Sequence, residues 1–338
     1  MITYIGVDVG EEHLDAWDEG QRVFRRFRNS PEGVRNLCSW LARSHPRGTF
    51  QVVLEPTSVY HHQVVLALHQ RGVAYTVINP RRTASFAQGE GSRAKTDKAD
   101  ARALARMGAE KQFPPTVSLD AEREELKYLR RQVEWLQAQL QAARNRRDTL
   151  KRSPFVPDPV VANLDGVIRD LEQGVQAMEE AIKAWLKQHP HLQAEVRLVA
   201  TVKGIGWRTA VLIVGEFPGV QHCQDAKDWV AYAGLHPEIR QSGKSWASVL
   251  SRMGPAVIRK GLYWPAIVAL RANPSIKSLG ERLGANGKRN KQIIVAAMTK
   301  LVRQAFAVLK AGTPFDPQWH LQGRRQKPHP TLDIQYGI

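Results

Sequence analysis

Cysteine is almost absent. Cys38 and Cys223 are the only two and stand far apart, so neither a disulfide framework nor a zinc cluster can be built from the chain's own thiols. That usage predicts a reducing, cytoplasmic setting. No apolar run approaches the length of a spanning helix. Met1-Ile2-Thr3-Tyr4 has neither the basic start nor the apolar stretch of a signal peptide. A complete phosphate-binding loop is missing too. Gly243-Lys244-Ser245 has the form of its tail, but Glu238 stands where its first glycine belongs, so no ATP-driven step is expected. Acid is scarce: 32 Asp and Glu face 49 Lys and Arg, a net charge of +17. Such a chain suits a polyanion, nucleic acid first, with an anionic membrane or a ribosome as the alternative.

What is present is enough for real cores. The 338 residues are 43% hydrophobic with nine Trp, and have room for two or three domains. The N-terminal third alternates strands and helices. Ile2 to Val9 is β-rich. His13 to Trp17 and Arg22 to Arg28 form two more strands around Asp18-Glu19-Gly20, a hairpin signal. Pro31 to Ala42 reads as a helix capped by Ser30. Phe50 to Leu54 is a strand, Val59 to Arg71 a helix, and Val73 to Ile78 a strand. Three strands in hairpin succession, then helix, strand, helix, strand, match the ribonuclease H-like plan.

Lys95-Thr96-Asp97-Lys98-Ala99-Asp100-Ala101-Arg102 opens an Ala- and Leu-rich run that reads as helix, with Thr96 as N-cap. Asp97 and Asp100, three apart, share one helical face. Asp8 lies in an otherwise apolar first strand, where a charge is costly unless paired or bound to metal. Glu55 ends the fourth strand, where Pro56 stops pairing; sites in open α/β sheets gather at strand ends. Four carboxylates, Asp8, Glu55, Asp97 and Asp100, suit Mg²⁺ or Mn²⁺ and phosphodiester chemistry. The stretch 78–93, polar and glycine-bearing, reads as a loop whose Arg81, Arg82 and Arg93 contact phosphate backbone.

After Pro114-Pro115 a heptad seam begins, Leu126, Leu129, Val133, Leu136, Leu140, flanked by many Arg. Pro154, Pro157 and Pro159 break it, and a second seam runs from Leu164 to Trp185. Two amphipathic helices joined by a Pro-rich turn predict an antiparallel hairpin, able to build a dimer or tetramer. Its basic first arm is either a nucleic-acid contact or a solvated face. The last part reads as mainly helical. Gly204-Ile205-Gly206 before an apolar helix resembles the turn of a helix-hairpin-helix module, with Lys203 beside it. Arg240-Gln241-Ser242-Gly243-Lys244-Ser245-Trp246 reads as a small-residue loop with two nearby cations. Arg252, Lys288, Arg289 and Lys291 are further cations placed for nucleic acid.

Together, Ile5-Gly-Val-Asp8, Leu54-Glu55-Pro-Thr, Val77-Ile-Asn-Pro, Lys95-Thr-Asp-x-x-Asp-Ala-Arg102, Gly204-Ile-Gly206, Ala233-Gly-Leu-x-Pro237, Ser242-Gly243, Ser251-Arg-Met253 and Ala285-Asn-Gly-Lys288 make a specific set. The chain resembles the serine-containing DEDD insertion-sequence transposases, family one hundred and ten, related to the Piv invertases. The resemblance runs from Tyr4 to about Asp316. It implies an α/β RuvC-like domain over 1–113 holding Mg²⁺ or Mn²⁺, a coiled-coil arm over 114–192 and a helical transposase domain over 193–320, before a basic irregular tail, 321–338. It carries Asp8, Glu55, Asp97 and Asp100 over as metal ligands and Ser242 as nucleophile; Ser245, Ser248 and Ser251 stand close by as alternatives. It implies donor and target DNA, a structured guide (bridge) RNA, and catalytic halves that meet across subunits, working on the bacterial nucleoid. The resulting expectation is an RNA-guided DNA recombinase working through a covalent phosphoserine. Its rivals are a protein-only invertase or junction resolvase, and a non-catalytic nucleic-acid-binding protein.

Overall fold

The computed structural model describes residues 2–46, 50–89, 96–116, 119–242, 245–251 and 253–318, with the backbone alone at 87–89 and 238–249. Arg93, Lys244, Arg252 and the tail 321–338 lie outside the described residues. The chain forms two compact units, divided between Asp120 and Ala121.

The first unit is a five-stranded sheet with helices on both faces. Its strands are β1 (Thr3–Val9), β2 (His13–Asp18), β3 (Val23–Arg28), β4 (Phe50–Leu54) and β5 (Tyr75–Val77), in the order β3-β2-β1-β4-β5. β2 runs antiparallel to β1 and β3, while β4 is parallel to β1 and β5. Successive side chains of a strand leave on opposite faces. Ile5, Val7 and Val9 of β1 therefore enter one core with α1 (Pro31–Ser44) and α2 (His62–Gln70). Tyr4 and Gly6 meet the other layer, α4 (Asp97–Lys111). Helix and strand touch so closely there that a Cβ on Gly6 would stand 1.9 Å from the Ala101 carbonyl oxygen. Ser30 caps α1 by accepting from Gly33 N–H, and Thr96 caps α4 by accepting from Ala99 N–H.

One expectation for this unit fails. The stretch 78–93 is not a loop throughout: Pro80–Gly89 is helix α3. Asn79 starts it, its side-chain oxygen accepting from Arg81 N–H, and Pro80 fits the first turn, where its missing N–H costs nothing.

The second unit begins with the helical hairpin, α5 (Ala121–Leu150) and α6 (Asp158–Gln188). Leu126, Val133, Val175, Ile182 and Leu186 join one core with the helices that follow, α7 (Pro190–Ala200), α8 (Trp207–Glu216), α9 (Ala226–Tyr232), α10 (Ala256–Ala272) and α12 (Asn290–Ala311). α11 (Pro274–Ala285) packs against α10 and α12. The basic first arm is largely neutralised. Arg130 and Arg131 both bind buried Glu216 of α8, and Arg123 binds Glu195 of α7 and the Val214 carbonyl. Farther out, Arg144 pairs with Glu172 and Arg147 with Asp165 across the hairpin. These arginines tie helices together.

Two further corrections belong here. The C-terminal part is not wholly helical, because β6 (Pro237–Ser242) and β7 (Ser245–Leu250) form an antiparallel hairpin. Ser242 ends β6 and pairs with Ser245, so it lies in a strand and not in the small-residue loop the composition suggests. The overlooked signal is Gly243-Lys244, a Gly-x pair of the kind that joins hairpin strands, between Ile239 and Trp246. α12 is also long and apolar enough to cross a membrane by length and composition, contrary to the reading of apolar runs. Its apolar character serves a core: Ala297, Met298, Leu301, Val302, Ala305 and Phe306 are all buried.

Candidate active site

The packing of α4 on the sheet creates the acidic centre. Asp8 follows Tyr4 and Gly6 on the face that α4 covers, and its direct partner on β2 is Asp15. Gly6 lets the helix lie against β1, and the first turn of α4 carries Asp97 and Asp100. Glu55 comes off the end of β4. The result is mutual repulsion. The Asp8 carboxyl is pushed up to about 6 from an ordinary 3.8, by burial first, then by the charges of Asp100, Asp97, Glu55 and Asp15. Glu55 is raised as well, by burial, with the hydroxyl of Thr83 on α3 pulling back and Asp100 pushing further. All four acids singled out from the sequence therefore share one electrostatic neighbourhood.

Among the described residues, no three of His, Cys, Asp or Glu are gathered tightly enough to enclose an ion. The donor set nonetheless fits a hard divalent cation. It is all carboxylate oxygen, and at least one member resists ionising beside the others, a resistance that a cation would relieve.

Two participants were not legible in the sequence. Arg26 of β3 donates to buried Asp15 from Nε and Nη2, at 2.7 and 3.1 Å, and the same Nη2 reaches Asp97 at 2.7 Å. A fixed positive charge thus stands on one edge of the acid cluster. Asp15 and Arg26 face each other only once the β2–β3 register is known. Thr83 is the other, buried on a helix where a loop was expected.

The remaining cations are scattered. Arg81 and Arg82 are exposed at the start of α3, Arg82 with its guanidinium 6.0 Å from the centre of the Phe113 ring. Lys203 is exposed, as are Lys288, Arg289 and Lys291 around the start of α12. Arg240 and Ser242 are described by backbone alone, in β6. Of the alternative serines, Ser251 is only 7% exposed, and its hydroxyl has no hydrogen-bond partner among the described residues. Its neighbour across the end of the hairpin, His236, likewise has an unpartnered, buried Nδ1. At the Gly204–Gly206 turn, Gly204 has φ +104°, and a Cβ there would lie 2.6 Å from that of Ala269. Asn273 ties the same turn down, donating to the Lys203 carbonyl and to Gln304.

Residues 5–152 match a transposase family model of the DEDD type of IS110, and residues 196–281 match a model described as transposase, IS116/IS110/IS902 family. The pilin gene-inverting protein of Moraxella bovis is 30% identical over 325 residues, covering 94% of this chain and 99% of that protein. Its counterpart in Moraxella lacunata is similar to the same extent. An uncharacterized 43.6 kDa protein of insertion element IS110 from Streptomyces coelicolor is 26% identical over 166 residues, 47% of this chain and 38% of that one.

Proposed function

The chain belongs to the IS110 family of transposases, and on that footing we propose that it is a DNA recombinase that cuts and rejoins donor and target DNA. The observation that carries the reading is the acidic centre: four carboxylates from two strand ends and one helix, where burial first and then the charges of the other three push Asp8 up to about 6. The strand order, three antiparallel then two parallel with α4 across one face, supports a ribonuclease H-like assignment for the first unit.

Asp8, Glu55, Asp97 and Asp100 would hold Mg²⁺ or Mn²⁺, which supplies charge stabilisation at the phosphate and makes a hydroxyl a better nucleophile. Ser242 is the proposed nucleophile. Its Oγ bonds to phosphorus as the bond to the 3′ oxygen breaks; the serine gives up its proton and the departing 3′ oxygen gains one. The 5′ end stays on the protein until a new 3′ hydroxyl reverses the step. Bond energy is conserved, in keeping with the incomplete phosphate loop at Glu238. The proposal includes a structured guide RNA and a dimer or tetramer. The net charge of +17 and exposed Lys288, Arg289 and Lys291 support a nucleic-acid partner.

A second reading, site-specific inversion without RNA, is favoured by the pilin gene-inverting relatives. The deciding experiment purifies the protein from cells carrying its flanking DNA, then reacts it with labelled DNA and Mg²⁺. DNA covalently attached at Ser242 supports recombination; free ends in the wild type would reduce the protein to a metal nuclease. RNA that co-purifies and resists scrambled competitor at physiological salt supports guidance, and its absence from an active protein selects inversion.

A further inference from the structure

Two clefts are lined by the Gly204-Ile205-Gly206 turn and by Trp207, which follows it. The first, about 430 Å³, is lined by the turn itself, Thr209, and Trp264, Pro265 and Val268 of α10. Its aromatic wall is bare: Trp264 is 70% exposed, with Tyr263 beside it at 40%. The second, about 270 Å³, lies among α6, α7 and the first residue of α8, with Lys183, Lys187, Gln193, Arg197 and Trp207 around an apolar floor. Lys183 sits 5.7 Å from the centre of the Trp207 ring and pairs with Glu180. Among the described residues, Lys187 and Arg197 have no carboxylate partner, and no acid lines either cleft. Gly206 lines one cleft and the next residue, Trp207, lines the other.

We propose that these paired clefts bind an unpaired DNA strand, with one base against Trp264, another against Trp207, and phosphates at Lys187 and Arg197. The charge selects a polyanion over an acid-free or basic partner. The aromatic walls select bases out of the stack, since a duplex keeps its ring faces inside and offers a groove only its edges. DNA is the strand because the exchange reaction proposed above frees unpaired DNA, and the inference rests on that reading.

The test is fluorescence anisotropy on the full chain, with an oligo-dT of about fifteen nucleotides, a duplex of the same length and an oligo-U, each titrated against salt. The variants are Trp264→Ala and the double change Lys187→Glu with Arg197→Glu. All three positions are exposed, so thermal unfolding should stay close to wild type, and each variant checks the other. The double variant should bind oligo-dT about tenfold or more weakly and flatten the salt slope by about 1.4, or 0.7 for each lost phosphate contact. Trp264→Ala should lose about fivefold or more on oligo-dT and little on duplex. Equal losses on duplex and single strand would overturn the unpaired-strand assignment, and a larger loss on oligo-U would assign the clefts to RNA. Variants that bind as wild type does would bring down the clefts alone. A wild type that binds no DNA at all would bring down the recombinase reading with them.

Discussion

The two elements proposed as catalytic are built in opposite ways. The acids of the first unit hang from a packed layer: β1 is buried on both faces, and α4 lies so close on one of them that Gly6 has no room for a methyl group. The serine of the second unit ends one strand of a two-stranded hairpin whose strands, among the described residues, pair only with each other. An isolated hairpin is marginal without support, whereas a packed helix and strand are held by cooperative burial. The carboxylates therefore hang from backbone set by the core, and the serine from backbone set by local pairing. That division suits the roles proposed for them: fixed charge needs a rigid frame, and a nucleophile that carries a DNA end needs to move.

The widest separation of the two elements comes from chemistry. Ser242→Ala should remove the covalent adduct and all detectable recombination while leaving thermal stability within about 0.5 kcal/mol, because one hydroxyl leaves and no charge is lost. Ser245→Ala should retain most activity, although it is the paired partner of Ser242. Denaturing gels of labelled DNA with peptide mapping read both; an adduct that survives in Ser242→Ala moves the nucleophile elsewhere.

Gly6→Ala should do the reverse, acting on stability first. The new methyl meets the Ala101 carbonyl oxygen at 1.9 Å and the Ala105 nitrogen at 2.6 Å, so α4 must move off the sheet. A cost of about 3 kcal/mol is expected, at the upper end for overpacking. Urea unfolding gives the number, and an unchanged midpoint would mean that helix and strand are not locked together.

Arg26→Gln tests the acid cluster itself. Removing the guanidinium frees Asp97 and restores repulsion, so Mg²⁺ should stabilise this variant more than wild type, with apparent affinity several-fold tighter. Asp97→Asn should lose the Mg²⁺ effect. Melting curves against Mg²⁺ concentration decide; identical shifts in all three proteins would disprove a shared metal site.

The smallest effect is a pH dependence. With a carboxyl near 6 in the folded chain against 3.8 ordinarily, ionised Asp8 works against folding above pH 6, and the penalty fades as pH falls through 6 towards 4. In EDTA, Asp8→Asn should be more stable than wild type at pH 7.5, by no more than about 1 kcal/mol after solvent screening. The gap should close near pH 4. A gap independent of pH would mean that Asp8 is not strained by its neighbours.

The sequence by itself determined the local features. β1, β2, β4, the Ser30 and Thr96 caps, the helical hairpin and the pairing of Asp97 with Asp100 on one turn follow from periodicity and capping, which act over a few residues. Tertiary structure alone decided what crosses long stretches of chain. Arg26 reaches Asp97 across 71 positions, and Thr83 comes to Glu55 on a helix that polar composition disguised as a loop. The arginines of α5, which read as either a nucleic-acid contact or a solvated face, turn to half-buried Glu195 and to Glu216, which is buried and needs partners. Register and packing select such contacts by burying charge against charge, and no short window of sequence contains both partners.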